Sequence, residues 1–181
     1  MSQPTETAPA DAAPADAAPA RTAPDEVMER VVAAVRLGQS GRRIEARDTL
    51  TALWDRIGAD GDPFHRCTLA HYLADLQETA EEELVWDERA LAAVADLTDE
   101  RAQRYHSSLR VQGFLPSLHL NLADVHRRLG HAGTARDHLA VARDLARDLP
   151  EDPYGDLVRA GIRNVTRALD AGSTERLDTH P

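Results

Sequence analysis

Apolar residues recur along the chain at helical spacing. One such stripe consists of Leu50, Leu53, Trp54 and Ile57, and the segment Gly58–Pro63 ends it. No segment alternates apolar and polar residues with a period of two, so no strand is predicted. The pattern predicts seven helices and an all-α fold. The helices cover about residues 24–37, 44–57, 63–77, 80–97, 115–129, 134–148 and 154–171.

Residues 98–113 interrupt this regular succession. The run Thr98, Asp99, Glu100 is typical of a helix start, and Ala102 and Tyr105 begin a short apolar stripe. The segment therefore predicts either an additional helix or a long N-terminal extension of the helix that follows. Pro116 is expected to lie in the first turn of that following helix, where proline is tolerated.

Two parts of the chain are near copies of one another. The sequence Ala-Arg-Asp-Thr-Leu at 46–50 matches Ala-Arg-Asp-His-Leu at 135–139 in four of five positions. The match continues upstream, where Ala34 corresponds to Ala123 and Gly41 to Gly130. Internal repetition at a fixed spacing indicates a helical array in which each unit packs on its neighbour.

The repeated pattern resembles the tetratricopeptide repeat, a helix-turn-helix unit of about 34 residues. The best-fitting copy consists of Leu122, Ala123, Gly130, Ala135, Leu139 and Ala142. The aromatic residue that usually follows the small residue of the first helix is absent, since His126 and Leu37 stand there. The resemblance implies a right-handed superhelical solenoid of about seven to eight helices.

A middle unit fits the family pattern less well. Leu69, Ala70 and Leu73 suit its first helix, and Trp86 can take the bulky position of its second. However, Glu82 falls where the other two units have alanine. The second helix of this unit is therefore either degenerate or shifted by one residue.

The repeats organise the chain into one helical domain with two tails. The domain spans about residues 25–171 and contains repeats at 25–58, 63–97 and 114–149 and a final helix at 154–171. Residues 1–24, rich in alanine and proline, are expected to be disordered, and residues 172–181 are expected to fray.

Charge, composition and the absence of known motifs argue against several classes of function. The formal net charge of -10 disfavours a nucleic acid partner, whose phosphates need a basic surface. No apolar run is long enough for a membrane span, no secretory signal is recognisable, and Cys67 is the only cysteine. We expect a cytoplasmic protein. No phosphate-binding loop or catalytic motif is present, so we expect neither an enzyme nor a cofactor.

The resemblance places the first helix of each repeat on the concave side of the solenoid, which binds partners in this family. The candidate partner-binding residues are Cys67, His71, Asp75, Leu120, Asn121, Asp124, Arg127 and Arg128. In similar proteins, an asparagine at the place of Asn121 often bonds the backbone of a bound peptide, because its amide both donates and accepts. Alternatively, Asn121 has a structural role and makes a hydrogen bond on the helix surface or between repeats.

Three hypotheses for function follow. The first is a non-enzymatic module that binds a protein or peptide partner in the concave groove. The second is a self-associating structural protein, present as a homodimer. The third is a metal- or ligand-sensing regulator that uses the face of Cys67 and His71, with His65, His119 and His126 as further imidazoles. One thiol and scattered histidines are weak support, so no metal site is predicted.

Overall fold

The structure is a computed structural model that describes residues 25–177. Within that range it contains eight α-helices and no strand, which confirms the all-α prediction. The helices are α1 (Glu26–Gln39), α2 (Arg43–Ile57), α3 (Pro63–Asp75), α4 (Ala80–Ala95), α5 (Asp99–Tyr105), α6 (Val111–Arg128), α7 (Ala132–Leu145) and α8 (Pro153–Asp170). A short 3-10 turn, Ala146–Asp148, follows α7.

Side-chain caps fix where several helices begin. Asp25 accepts from the backbone N–H of Met28 at the start of α1, and Thr79 accepts from that of Glu82 at the start of α4. Asp62 caps α3 in the same way. These oxygens satisfy backbone donors that have no partner within the first turn of a helix. Residues next to each helix start therefore determine where α1, α3 and α4 begin.

The sequence repeat corresponds to two helical hairpins, α1–α2 and α6–α7. The four repeated alanines (Ala34, Ala46, Ala123 and Ala135) are all fully buried, where small side chains let the two helices of each hairpin approach closely. Gly41 and Gly130 have φ values of 88° and 78°, which only glycine adopts without strain. The same sequence pattern thus makes the same turn and the same close contact twice.

The middle hairpin, α3–α4, is shifted by one residue. Its connection covers residues 76–79 and is one residue longer than the connections at 40–42 and 129–131. The first three buried positions of α4 are consequently Glu83, Asp87 and Ala90. They have the spacing of Ala46, Leu50 and Leu53 in α2, so two carboxyl groups occupy positions that are apolar in α2 and α7.

The interruption at 98–113 forms a separate helix, α5, and α6 begins earlier than predicted. The Asp99 carboxylate accepts the backbone N–H of Val111 at 2.7 Å and so fixes the start of α6. Pro116 consequently lies inside α6 rather than in its first turn. It cannot supply the amide donor for the carbonyl of Gln112.

Each helix packs against its neighbours in the chain, and the hairpins also contact one another through α1 with α3, α4 with α6, and α6 with α8. The α6–α8 contact is especially close at Gly161, where a Cβ atom would lie 2.6 Å from Cδ2 of Leu120. Gly161 therefore allows α8 to approach α6 closely, just as the buried alanines allow the two helices of each hairpin to approach.

The structure describes part of the predicted C-terminal tail but none of the predicted N-terminal tail. Residues 1–24 and 178–181 lie outside the described residues. Residues 173–177, which the sequence predicts to fray, instead contact α6 and the core. No helix in the described part of the chain is long and apolar enough to cross a membrane.

Candidate functional site

The first helices of the hairpins and α8 enclose a cavity of about 540 Å³, here called the cleft. Its walls carry His71, Tyr72 and Asp75 of α3, Asn121 of α6 and Leu157 of α8. Three of the eight candidate residues from the sequence analysis line it: His71, Asp75 and Asn121. Its lining combines apolar side chains with a few polar groups, as ligand sites generally do.

Asn121 provides the most distinctive polar group of the cleft. The residue is only 2% exposed, and its Nδ2 lies 3.4 Å from Nδ1 of His71, to which it donates. Its Oδ1 has no hydrogen-bond partner within the described residues. A buried carbonyl oxygen without a donor costs free energy, and a ligand N–H would remove that cost.

Asp87 lies behind the cleft, facing the Asn121 amide. Burial, then the neighbouring carboxylates Glu83 and Asp75, raise the pKa of Asp87 well above its ordinary value. Asn121 and Arg128 partly offset that rise. The folded protein therefore retains the proton of Asp87 to a higher pH than the unfolded chain does.

The raised pKa of Asp87 predicts a pH-dependent effect of the isosteric change Asp87→Asn. The unfolded chain releases the proton near the ordinary value of 3.8, whereas the folded protein retains it, so Asp87 lowers stability as pH rises. Asparagine does not titrate. The melting temperature of Asp87→Asn relative to the unchanged protein should thus increase between about pH 4 and about pH 7. A difference that is constant over this range would contradict the assignment.

Four ionic side chains form a buried cluster beside Asp87. Asp124 accepts from Nη2 of Arg127 at 2.7 Å and from Nε of Arg128 at 3.0 Å, and Arg128 also pairs with Glu83. Both arginine side chains are less than a tenth exposed. The Arg128–Glu83 pair joins α6 to α4, and Asp124 holds both arginines within α6, so the cluster links two hairpins.

The eight candidate residues fall into three groups in the structure. His71, Asp75 and Asn121 line the cleft. Cys67 lines a second cavity instead. The other four (Leu120, Asp124, Arg127 and Arg128) are buried in the core or in the ionic cluster and are not part of the cleft wall.

The second cavity, of about 600 Å³, lies between α3, the start of α6 and the end of α7. It shares His71, Tyr72, Ser117 and Tyr154 with the cleft. The Tyr154 hydroxyl donates to the carbonyl oxygen of Gly113 at 2.8 Å. Tyr154 therefore forms part of the wall between the two cavities.

The structure does not assemble the histidines and cysteine of the sensing hypothesis. Burial raises the pKa of the Cys67 thiol to about 12, which keeps it protonated. His65 pairs with Asp25 at 2.8 Å, and Nδ1 of His119 lies 2.9 Å from Nδ1 of His138. Nowhere among residues 25–177 do three or more possible metal ligands form a group.

Sequence analysis offered a shift of one residue as one of two alternatives for the middle unit, but it did not follow that shift along the second helix and so missed Glu83 and Asp87. A shift of one residue would have placed both at the buried spacing of α2 and α7 and revealed two carboxyl groups in the core. Tyr154 was also missed, since a tyrosine near a helix start carries no positional signal.

The chain was compared with protein family models, with curated proteins and with solved structures, and no match was found.

Proposed function

We propose that the protein is a non-enzymatic binding module, built as a solenoid similar to tetratricopeptide repeat proteins, that holds a peptide segment of a partner protein in the cleft. The observation that carries the proposal is that Asn121, a buried residue whose Oδ1 has no donor among residues 25–177, lines a cavity of about 540 Å³. A backbone N–H of an extended segment is the donor that such an oxygen suits.

The apolar lining supports the same proposal. Leu157 and Tyr154 are 48% and 40% exposed, respectively, and both line the cleft. Large apolar side chains left exposed around a cavity are typical of interaction sites. A peptide that covers them would gain hydrophobic free energy, while Asn121 would orient its backbone.

A cytoplasmic location forms part of the proposal. Its support is that Cys67, the chain's one cysteine, is a buried free thiol. A single unpaired thiol suits a reducing compartment, where disulfides are rare.

The test is a selection of peptides from a random display library against the full chain, followed by affinity measurements on the selected peptides. We expect Asn121→Ala to weaken binding by about tenfold to hundredfold, because the peptide would lose a hydrogen bond worth about 1–3 kcal/mol in a buried setting. Asn121 also bonds His71, so the measurements belong at a temperature where circular dichroism shows the variant to be folded.

Asn164→Ala is the matched control. Asn164 is the only other asparagine of the chain, and it lies on α8 outside the cleft lining. We expect this variant to bind the peptides as the unchanged protein does. Peptides that bind all three proteins equally would show that the cleft is not their site and would contradict the proposal.

A further inference from the structure

The last described residues, Ser173–Leu177, return to the body of the protein after α8 ends. Gly172 has a φ value of 66°, and the Ser173 N–H donates to the carbonyl of Ala168 at 2.9 Å. This is the left-handed turn that often closes a helix. It reverses the chain, so that the segment runs towards α6 and the cleft.

Arg127 binds the backbone of this segment. Its Nη1 donates to the carbonyl oxygen of Ser173 at 2.6 Å, and its Nη2 donates to that of Glu175 at 2.8 Å. Asp124 accepts from Nε and Nη2 of the same guanidinium and so orients it. A planar group with several donors can bind two carbonyls at once, which the point charge of a lysine does less well.

The next two side chains of the segment contact the cleft and the core. Arg176 lines the cleft, whose wall also carries Asp75. Leu177 packs against the apolar cluster that α6, α7 and α8 share. The segment thus combines two bound carbonyls, a basic side chain at the cleft and a leucine in an apolar site.

The segment contributes few other contacts. The side chains of Thr174, Glu175 and Arg176 are exposed, and Arg176 makes no ion pair within residues 25–177. The contacts that hold it are therefore of the kind that another peptide backbone, with a similar pair of side chains, could make.

We propose that Ser173–Leu177 occupies a peptide-binding site that runs from Arg127 to the cleft, and that the partner segment has the same chemistry and replaces it. The partner would present two carbonyls two residues apart to Arg127, then an arginine or lysine at the cleft wall that carries Asp75, then a leucine. That a partner peptide replaces the segment rests on the proposed function, whereas the existence of the site rests on the hydrogen bonds that Arg127 donates to the segment.

The test uses a fluorescein-labelled synthetic peptide with the sequence of residues 172–181 as the probe. The protein is the full chain, either unchanged or carrying Arg176→Ser and Leu177→Ser, two changes that remove the side-chain contacts of the segment with the cleft and the apolar cluster. We expect fluorescence anisotropy to show binding at least tenfold tighter to this variant, here called the released variant, since its own segment competes less well for the site. Equal binding to both proteins, or binding to neither, would overturn the proposal.

Two further substitutions in the released variant locate the site. Arg127→Lys should weaken peptide binding about tenfold or more, because lysine cannot bind both carbonyls in the same geometry. Arg128→Lys is the matched control, since Arg128 belongs to the same ionic cluster but makes no hydrogen bond to Ser173 or Glu175. Peptide binding that depends on Arg128 as much as on Arg127 would overturn the assignment.

Failure here is distinguishable from failure of the proposed function. If library peptides depend on Asn121 but the probe does not depend on Arg127, the cleft binds peptides and the segment is only structural. If binding of the probe depends on Arg127 but binding of no library peptide depends on Asn121, the site at Arg127 is supported and the role proposed for Asn121 is wrong.

Discussion

Replacement of Asp124 by alanine is expected to lower the free energy of unfolding by about 3–5 kcal/mol, the range observed when one partner of a buried ion pair is removed. Asp124 accepts hydrogen bonds from both Arg127 and Arg128, whose side chains are only 1% and 7% exposed. Without Asp124, two buried guanidinium groups would share the single carboxylate of Glu83 and a few backbone carbonyls.

The measurement is thermal or urea unfolding followed by circular dichroism. For a protein of this size, each kcal/mol corresponds to a change of about 2–4 °C in melting temperature. Asp144→Ala is the matched control, because Asp144 pairs with Arg147 on the surface, where both side chains are about 70% exposed. Exposed pairs of this kind contribute about 0–1 kcal/mol. Similar losses in the two variants would mean that the cluster does not stabilise the fold.

The two hairpins with matching sequence were predictable because their signals are local. Gly41 and Gly130 supply the turn, and the buried alanines follow at a fixed spacing on either side. Both features depend on nearby residues along the chain. Pattern reasoning therefore found α1–α2 and α6–α7, and it also placed the starts of α3 and α4 where the structure has them.

Sequence analysis left two alternatives open for the middle hairpin, and the structure shows the shift of one residue, because its turn is one residue longer. An added residue rotates every later side chain of α4 by about 100°, so a different set becomes buried. Glu83 and Asp87 also violate the expectation that core positions are apolar. Arg128 pairs with Glu83, and a raised pKa reduces the charge of Asp87; Arg128 comes from α6, which is distant in sequence.

The Ser173–Leu177 contact was equally beyond the sequence. Four of its five residues are polar and the segment follows a glycine, which is the composition of a fraying end. What fixes them is Arg127, a side chain of α6 that is buried beneath them. Long-range contacts of a single arginine leave no periodicity from which they could be inferred.

Replacement of Ala123 by leucine tests the repeat register itself. Ala123 is fully buried in the cluster that contains Ala135 and Leu139 of α7, so no space exists for a larger side chain. Overpacking of a close helix contact typically costs about 1–3 kcal/mol. We expect Ala123→Leu to lower the unfolding free energy by that amount, and Ala34→Leu to cost about as much, because Ala34 has the corresponding position in the first hairpin.

Ala140→Leu is the control for both variants. Ala140 lies on the exposed side of α7, and alanine and leucine have similar helix propensities, so the difference between the variants isolates packing. Urea unfolding of the three proteins gives the comparison. If Ala34→Leu and Ala123→Leu are both costly and Ala140→Leu is neutral, the two hairpins use the same contact. If Ala123 and Ala140 tolerate leucine equally, the α6–α7 contact is not the close approach that the repeat implies, and the correspondence between the two hairpins is wrong.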